Sequence, residues 1–598
     1  MHKRYQVALA FCGAFALTPA PALALEEVSV SVAGGDTDLQ AALRGASATV
    51  AALDEGRTDP EDVLGAALSD YRNMVEALYA QGYYGGVVHI YVDGREAADI
   101  PLLNTPARVD RVTIDVQQGR QFTFGKVQIA PAPPAMDSAP PMPGEVAEAA
   151  RVREAVSANI DGWRAVGHAK AAPDSQRVIA DHPAATLDVE VGINPGPRVR
   201  FGQMRIVTPS EVRETRIRRI AGFPEGEVFS PEALQMVGTR LRRTGTFASV
   251  SLQEGETLGP MNDMDVALSL ADAKPRRFGF GAEISSLEGA TISGFWLHRN
   301  LFGGAERLRL DAEISNIGGD VEGGEDYSIG ARYEIPATFG PDTTAFLVAR
   351  AERLDEPDFF SDSYKLGFGA SKIFSDSFQG EIGLNYEFSE TRDDLGAREF
   401  TLLTLPVSAT WDRRDDALNP TGGVYLAATL TPFVGLEGST SGLRTEVDAR
   451  AYRGFGADDG VVLAGRVQLG SVTGPALTGT RPDFLFFSGG GGTVRGQPYQ
   501  SLDVDLGGGR EMGGRSFLGL SGEVRVDVTD KIGAVAFYDA GYIGAEEFFD
   551  GTGEWHAGAG LGLRYQTGLG PIRLDVATPV SGSTGDGVQV YIGIGQAF

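Results

Sequence analysis

The chain predicts two fold classes in series: three small α+β repeats, then a sixteen-stranded transmembrane antiparallel β-barrel. Three observations carry the expectation. Helical periodicity is confined to the first half and ends near Arg276. From there to Phe598 apolar and polar residues alternate with a period of two, the signature of a strand wet on one face and apolar on the other. In the first half, Gly119-Arg-Gln-Phe-Thr-Phe124-Gly125-Lys-Val127-Gln-Ile129 recurs 77 residues on as Gly196-Pro-Arg-Val-Arg-Phe201-Gly202-Gln-Met204-Arg-Ile206.

Composition narrows the function classes. The 598 residues carry 52 Lys+Arg against 80 Asp+Glu, a formal charge of −28. That balance excludes nucleic acid or a polybasic membrane anchor as the main partner, because both need a basic face. Mean hydropathy is −0.10, and no run of about 18 uncharged apolar residues offers a membrane helix. Glycine is abundant at 80 residues, without a collagen period.

Residues 1–24 read as a secretory signal: His2, Lys3 and Arg4, an apolar stretch from Val7 to Leu17, then the small-x-small site Ala22-Leu23-Ala24. The single cysteine, Cys12, lies inside it. The mature chain therefore offers no disulfide, thiol nucleophile or Cys-based metal site.

Between residues 26 and 274 the pattern mixes helices with strands. Asp59-Pro60-Glu61-Asp62 is a helix start, with a capping acid, a proline in the first turn and acids against the dipole. Leu64, Leu68, Tyr71, Val75 and Leu78 mark its apolar face, and Gly82 stops it. Helix-ending glycines precede strands at Gly82, Gly167 and Gly245. The expected organisation is three β-α-α-β-β modules at 26–122, 123–198 and 199–274. The Pro/Ala stretch from Ala130 to Pro143 reads as a loop interrupting the second. Such modules supply no catalytic group, but an edge strand can accept an extended segment by backbone pairing. His89, His168 and His182 show no metal-ligand spacing and read as ordinary residues.

The barrel is expected over 275–598. Leu308, Leu310, Ala312 and Ile314 alternate with Arg307, Arg309, Asp311 and Glu313, and Val588, Val590, Ile592 and Ile594 with Gln589, Tyr591, Gly593 and Gly595. About sixteen such segments are countable, an even number that brings both ends to one side of the membrane. The last segment, ending at Phe598, is expected to close against Phe278 to Ile284. Phe278, Gly279, Phe280, Gly593, Gly595 and Phe598 would then line a weak lateral seam, since glycine packs nothing across it.

A long connection, 471–514, separates the eleventh and twelfth segments and carries Gly489-Gly-Gly-Gly-Thr-Val494-Arg495-Gly496-Gln497-Pro498-Tyr499. No Gly-Lys-Ser/Thr follows, so it is not a phosphate loop. If the loop folds inward, Arg495 needs a carboxylate, and Glu523 and Asp539 on the next two strands can supply it.

At these residues the chain resembles the BamA/TamA superfamily of outer-membrane assembly and translocation proteins. Val494-Arg495-Gly496-Gln497 resembles the family's VRGF/Y loop motif, with Gln497 in place of the aromatic. Phe537-Tyr-Asp539-Ala-Gly541 resembles its F-x-D-x-G motif, and Gly522-Glu523-Val-Arg525 the strand before it. Asn300-Leu-Phe-Gly-Gly-Ala-Glu306 and Trp411-Asp412-Arg413-Arg414-Asp415 to Asn419-Pro420-Thr421-Gly422 are also similar. The resemblance implies periplasmic POTRA modules and a loop held in the lumen by Arg495 against Asp539 and Glu523. Three modules on sixteen strands are similar to the TamA branch. That branch implies insertion of outer-membrane or autotransporter clients, a TamB-like inner-membrane-anchored partner and a place in the outer membrane of a Gram-negative bacterium. The alternative is a secretion pore of the two-partner type. No cofactor, metal or enzymatic activity is expected: no Gly-x-Ser-x-Gly, His-Glu-x-x-His or paired-Cys spacing occurs.

Overall fold

A computed structural model describes residues 25–598, apart from 35–36, 102–104, 137–138, 286–288, 320–322, 457–458, 569, 583 and 586. The signal read over 1–24 lies outside the described residues. The chain divides into two units, one holding the first two modules and the other most of the third module together with the barrel.

The first module is a sheet of Glu27–Val32, Val87–Val92, Arg95–Glu96 and Arg111–Gln117, in which Glu27–Val32 and Arg111–Gln117 pair in parallel. Helices Thr37–Ala46, Ala48–Asp54 and Pro60–Ala80 lie with it. Pro60–Ala80 starts where the Asp59 carboxylate accepts the Glu61 amide at 3.0 Å, offsetting one orphan donor of the first turn. Its Leu64, Met74 and Leu78 are buried in one core with Ile90 and Ile114 of the sheet. The same helix carries a fully buried Asp70. Its carboxylate accepts from Ala48 N at 2.6 Å, Thr49 Oγ1 at 2.7 Å and Ser47 Oγ at 2.7 Å, so it caps the helix Ala48–Asp54 from a distance.

The second module pairs Thr123–Ala130 and Ala172–Asp181 on either side of Thr186–Asn194. It carries one helix, Ala149–Ala165, among the described residues, and the first module carries three. Both depart from the expected pair. In the second module the reason is covalent: prolines at 131, 133, 134, 140, 141 and 143 remove the amide donors a first helix would need. The stretch is nevertheless packed, with Trp163 Nε1 donating to Pro131 O at 3.1 Å. The third module has the expected order: Arg200–Ile206, helices Glu214–Ala221 and Pro231–Arg243, then Phe247–Glu254 and Asp263–Asp272. Gly82, Gly167 and Gly245 follow helices at φ +82°, +103° and +65°, a conformation that glycine adopts without strain. Phe124 and Phe201 are both buried in the first strands of their sheets, whereas Phe278, a further 77 residues on, lies in the first barrel strand.

The third module is bonded to the barrel base. Its core includes Ala305 and Ala337 from two barrel turns. Arg240 forks onto Asp342, Nε to Oδ1 at 3.0 Å and Nη2 to Oδ2 at 2.7 Å, and Arg213 N donates to Gly303 O at 2.9 Å. The Asn300–Glu306 motif shapes that turn: Asn300 Oδ1 accepts Ala305 N at 2.9 Å and Glu306 Oε2 accepts Gly304 N at 2.7 Å.

The barrel is closed and antiparallel, running from Arg276–Ser285 to Gln589–Ile594. Its wall is sixteen strands among the described residues, because Gly396–Thr404 and Val407–Asp412 pair with the same neighbour in one register and are halves of a single strand. The break falls at Leu405-Pro406, where proline has no amide to give. Tyr364, Leu366 and Phe368 stand outward and exposed, as do Leu561, Leu563 and Tyr565. Inside, Glu387, Arg481, Arg495, Glu523, Asp539 and Asp575 are buried. An apolar exterior around a charged interior is stable only with hydrocarbon outside.

Replacing Asp70 by alanine leaves the donors of Ser47, Ala48 and Thr49 without their acceptor. We expect a loss of about 3 kcal/mol from the first module, read as lost hydrogen-exchange protection over 48–54 with the barrel amides unchanged.

Candidate functional site

The long connection enters the barrel. Near its root Arg481 pairs with Glu387 of the seventh strand (Nη1–Oε2 3.1 Å), and Phe484, Phe486 and Leu502 pack with Phe433, Phe517 and Ile543 of the wall. Its tip crosses to the other side. Arg495, 3% exposed, forks onto Asp539 (Nε–Oδ2 2.7 Å, Nη2–Oδ1 3.1 Å) and reaches Glu523 Oε1 at 2.8 Å and Asp575 Oδ2 at 3.2 Å. Its guanidinium lies 3.6 Å from the centre of the Phe537 ring, a cation–π contact. Charge balances locally: Arg525 Nε meets Glu523 Oε2 at 2.8 Å, and Arg564 pairs with Asp575. Three buried carboxylates thus face three arginines, the condition under which burying charge is tolerable.

Glycine makes the approach possible. A Cβ on Gly541 would sit 2.1 Å from Ser488 Oγ and 2.9 Å from Val494 Cγ2, which explains the glycine of the Phe537–Gly541 motif. Gly496 has φ +94°, and a Cβ there would strike the Thr578 backbone at 2.8 Å. Val494 is fully buried. Gln497 is not a defect in the loop. Its Nε2 donates to Ala557 O at 2.7 Å and Ser581 O at 2.9 Å, replacing aromatic packing by a polar tie to two strand ends. The tip also holds the last strand: Gly496 N donates to Tyr591 Oη at 3.2 Å and Gln589 Nε2 to Gly496 O at 3.0 Å.

The structure therefore joins Arg495 to both expected carboxylates and adds Asp575, Arg525, Arg564, Gln589 and Tyr591, none of which had been assigned a role. A signal existed for two of them. Arg564 and Asp575 are charges in the lumen-facing register of strands otherwise short of charge.

The seam departs from expectation. Among the described residues the first and last strands share two pairs, Ile284↔Ile592 and Ser285↔Tyr591, and Arg276–Glu283 has no partner in the last strand. Phe278 and Gly279 pair instead with Trp296 and Phe295 of the second strand, and Phe278 and Phe280 are 64% and 88% exposed. Gly593 lies in the last strand facing Arg573, whose Nη2 reaches Glu283 Oε1 at 3.2 Å across the seam. Phe598 does not close the seam. The last strand ends at Ile594, Gly595 takes φ +91°, and Phe598 is buried in a cluster with Tyr452 and Ala464. An apolar ring and a nearby cation, Arg525, give it a better site inside than the seam does.

Residues 300–598, half of the chain, match the Omp85 superfamily domain. The chain belongs to the Omp85 superfamily. Among solved structures it is similar to BamA from Haemophilus ducreyi lacking POTRA domains 1–3, at 15% identity and TM-score 0.61, covering 79% of this chain and 100% of that one. It is also similar to CdiB from Acinetobacter baumannii, at 13% identity and TM-score 0.50, covering 79% and 90%. Both likenesses are of fold. This Omp85 barrel accordingly sits in the outer membrane, with its POTRA-like modules in the periplasm and a general role in inserting or translocating proteins.

Apart from the anchor, Asp358, at the turn between Thr343–Glu356 and Phe359–Ser375, and Asp503 and Glu511 of the long loop each bring a carboxylate oxygen within 4.8 Å of the others. Such an all-oxygen set suits a hard cation rather than a soft one. Burial and neighbouring carboxylates push Asp503 up to about 7 and Asp358 up to about 6.

Three expectations follow for the Omp85 loop. Arg495→Ala leaves three buried carboxylates with two cations and should cost about 3–5 kcal/mol, read as a lower unfolding temperature in heat-modifiability gels. Gly541→Ala should mimic it by expelling Val494. The raised Asp503 and Asp358 favour seating of the loop while protonated, so that stability is greatest in acid and is lost as pH rises through about 6 to 7. Proteolytic nicking between 503 and 511 should increase from pH 5 to pH 8, and Asp503→Asn should flatten the profile.

Proposed function

We propose that this protein catalyses insertion of β-strand clients into the outer membrane through its first-strand/last-strand seam, in the manner of the TamA branch. One observation carries the reading: among the described residues the wall closes through two residue pairs, while the other junctions pair over six to sixteen. A strand entering hydrocarbon needs every backbone group paired. The free edge of Arg276–Glu283 is a template for such pairing, and a client strand gains a new ladder along it. The last strand, six residues long, is shorter than the about 9–11 that span a bilayer. The bilayer beside it thins, lowering the barrier to entry.

Unfolded outer-membrane or autotransporter proteins are the clients in this reading. A TamB-like partner anchored in the inner membrane docks on residues 26–274. The edge strand Ala172–Asp181 supports docking by strand addition, with Val178 and Ile179 exposed beside its free backbone. No covalent bond is made or broken. Export of a substrate through the lumen is less supported, because the loop tip and residues 595–598 both occupy it.

Ile284→Cys with Ile592→Cys, opposite each other in the seam, tests the reading. Oxidation should abolish client assembly by reconstituted protein and reduction restore it; undiminished assembly in the oxidised form rejects the seam.

A further inference from the structure

The residues that follow the last strand are held in the lumen by the same charges that hold the loop. Gln596 is fully engaged: its amide donates to Leu418 O at 3.1 Å, its Nε2 to Asn419 Oδ1 at 2.8 Å, and its Oε1 accepts from Arg564 Nε at 2.7 Å. Arg525 Nη2 donates to Phe598 O at 3.0 Å. Each of these arginines also faces a carboxylate that Arg495 contacts. Two relays therefore run from the loop tip to the tail: Arg495–Glu523–Arg525–Phe598 and Arg495–Asp575–Arg564–Gln596.

The tail has a second place to go. Continuing the Ile284↔Ile592 register inward sets Ala597 opposite Gly279 and Phe598 opposite Phe278. An extended tail would lengthen the seam along the free edge of the first strand, with Phe598 beside the exposed Phe278. The two states trade comparable interactions: buried polar ties and an apolar pocket against backbone pairs in hydrocarbon.

We propose that Arg525 and Arg564 are positioning residues that couple the loop anchor to the tail, so that the edge Arg276–Glu283 stays unpaired with the chain's own tail only while Arg495 is seated. The physical cause is competition for guanidinium. Without Arg495, Glu523 and Asp575 each lose a cationic donor and draw Arg525 and Arg564 toward themselves. A carboxylate outcompetes the neutral Oε1 of Gln596, and Glu523, short of one cation, strengthens its claim on Arg525 against the Phe598 oxygen. The tail is then free to pair with the first strand. By linkage, releasing the tail loosens the loop to the same degree. The functional meaning rests on the seam reading above, but the coupling itself is a property of the barrel alone.

Disulfide trapping in the full-length protein tests it. Cys12 is the sole native cysteine, so in a Cys12→Ser background engineered pairs report alone. Gly279→Cys with Ala597→Cys leaves Gln596 and the Phe598 ring intact, and Phe278→Cys with Phe598→Cys is a second reporter. With the relays intact both should cross-link poorly. Arg525→Gln, Arg564→Gln and Arg495→Ala should each raise the yield about tenfold, the change expected for losing one charge-assisted hydrogen bond. The Ile284→Cys/Ile592→Cys pair should cross-link equally in every background, confirming that each variant folds. Should Arg495→Ala fail to fold, Glu523→Gln breaks the first relay while keeping its shape. Unchanged yield at both reporters in folded relay variants overturns the coupling. The readout needs no client, so an oxidised seam that still assembles clients would reject the seam reading and leave this result standing.

Discussion

Hydrocarbon offers a backbone no hydrogen-bond partner, and the whole architecture answers that constraint. A closed barrel is the sheet that satisfies it, since closure removes both edges. Here closure is nearly complete. Fifteen junctions are antiparallel ladders of six pairs or more, and the sixteenth, between Arg276–Ser285 and Gln589–Ile594, holds two pairs among the described residues. Among the described residues the edge beside Phe278 and Phe280 has no partner in the last strand, and there a foreign strand gains most by binding.

What keeps so weak a junction from spreading is the interior. The loop tip bonds to strands twelve to sixteen through Glu523, Asp539, Ala557, Asp575, Ser581, Gln589 and Tyr591, and none of these ties reaches the first strand. The later strands are thereby fastened to one another from within, and the first strand is left as the compliant side. Three arginines and three carboxylates do this without net charge. Removing any one of them leaves a buried ion unpaired, so the network holds one geometry rather than a family of them.

The motifs of the turns serve the same end. Asn300–Glu306 seats the third module on the barrel, and the turn after Trp411 supplies Leu418 and Asn419 to the tail. Short runs far apart along the chain therefore converge on two tasks, fixing the third module and fixing the chain after the last strand.

The sequence by itself determined the architecture. Period-two alternation dictates which side chains meet hydrocarbon, and a repeat 77 residues apart marks two module starts, because both are local periodicities that any folded form must respect. Arg495 with Glu523 and Asp539 was legible too, as an arginine among glycines needs acids once it is buried. Only the tertiary structure decided the rest. Asp575, Gln589 and Tyr591 join the loop tip because barrel closure brings strands 80 or more residues away to one point, and no local pattern encodes that meeting. Phe598 shows the limit most plainly. An alternating strand ending in an aromatic reads the same whether it zips the wall or turns inward at Gly595, and the choice is made by a pocket and two arginines that exist only after the barrel has closed.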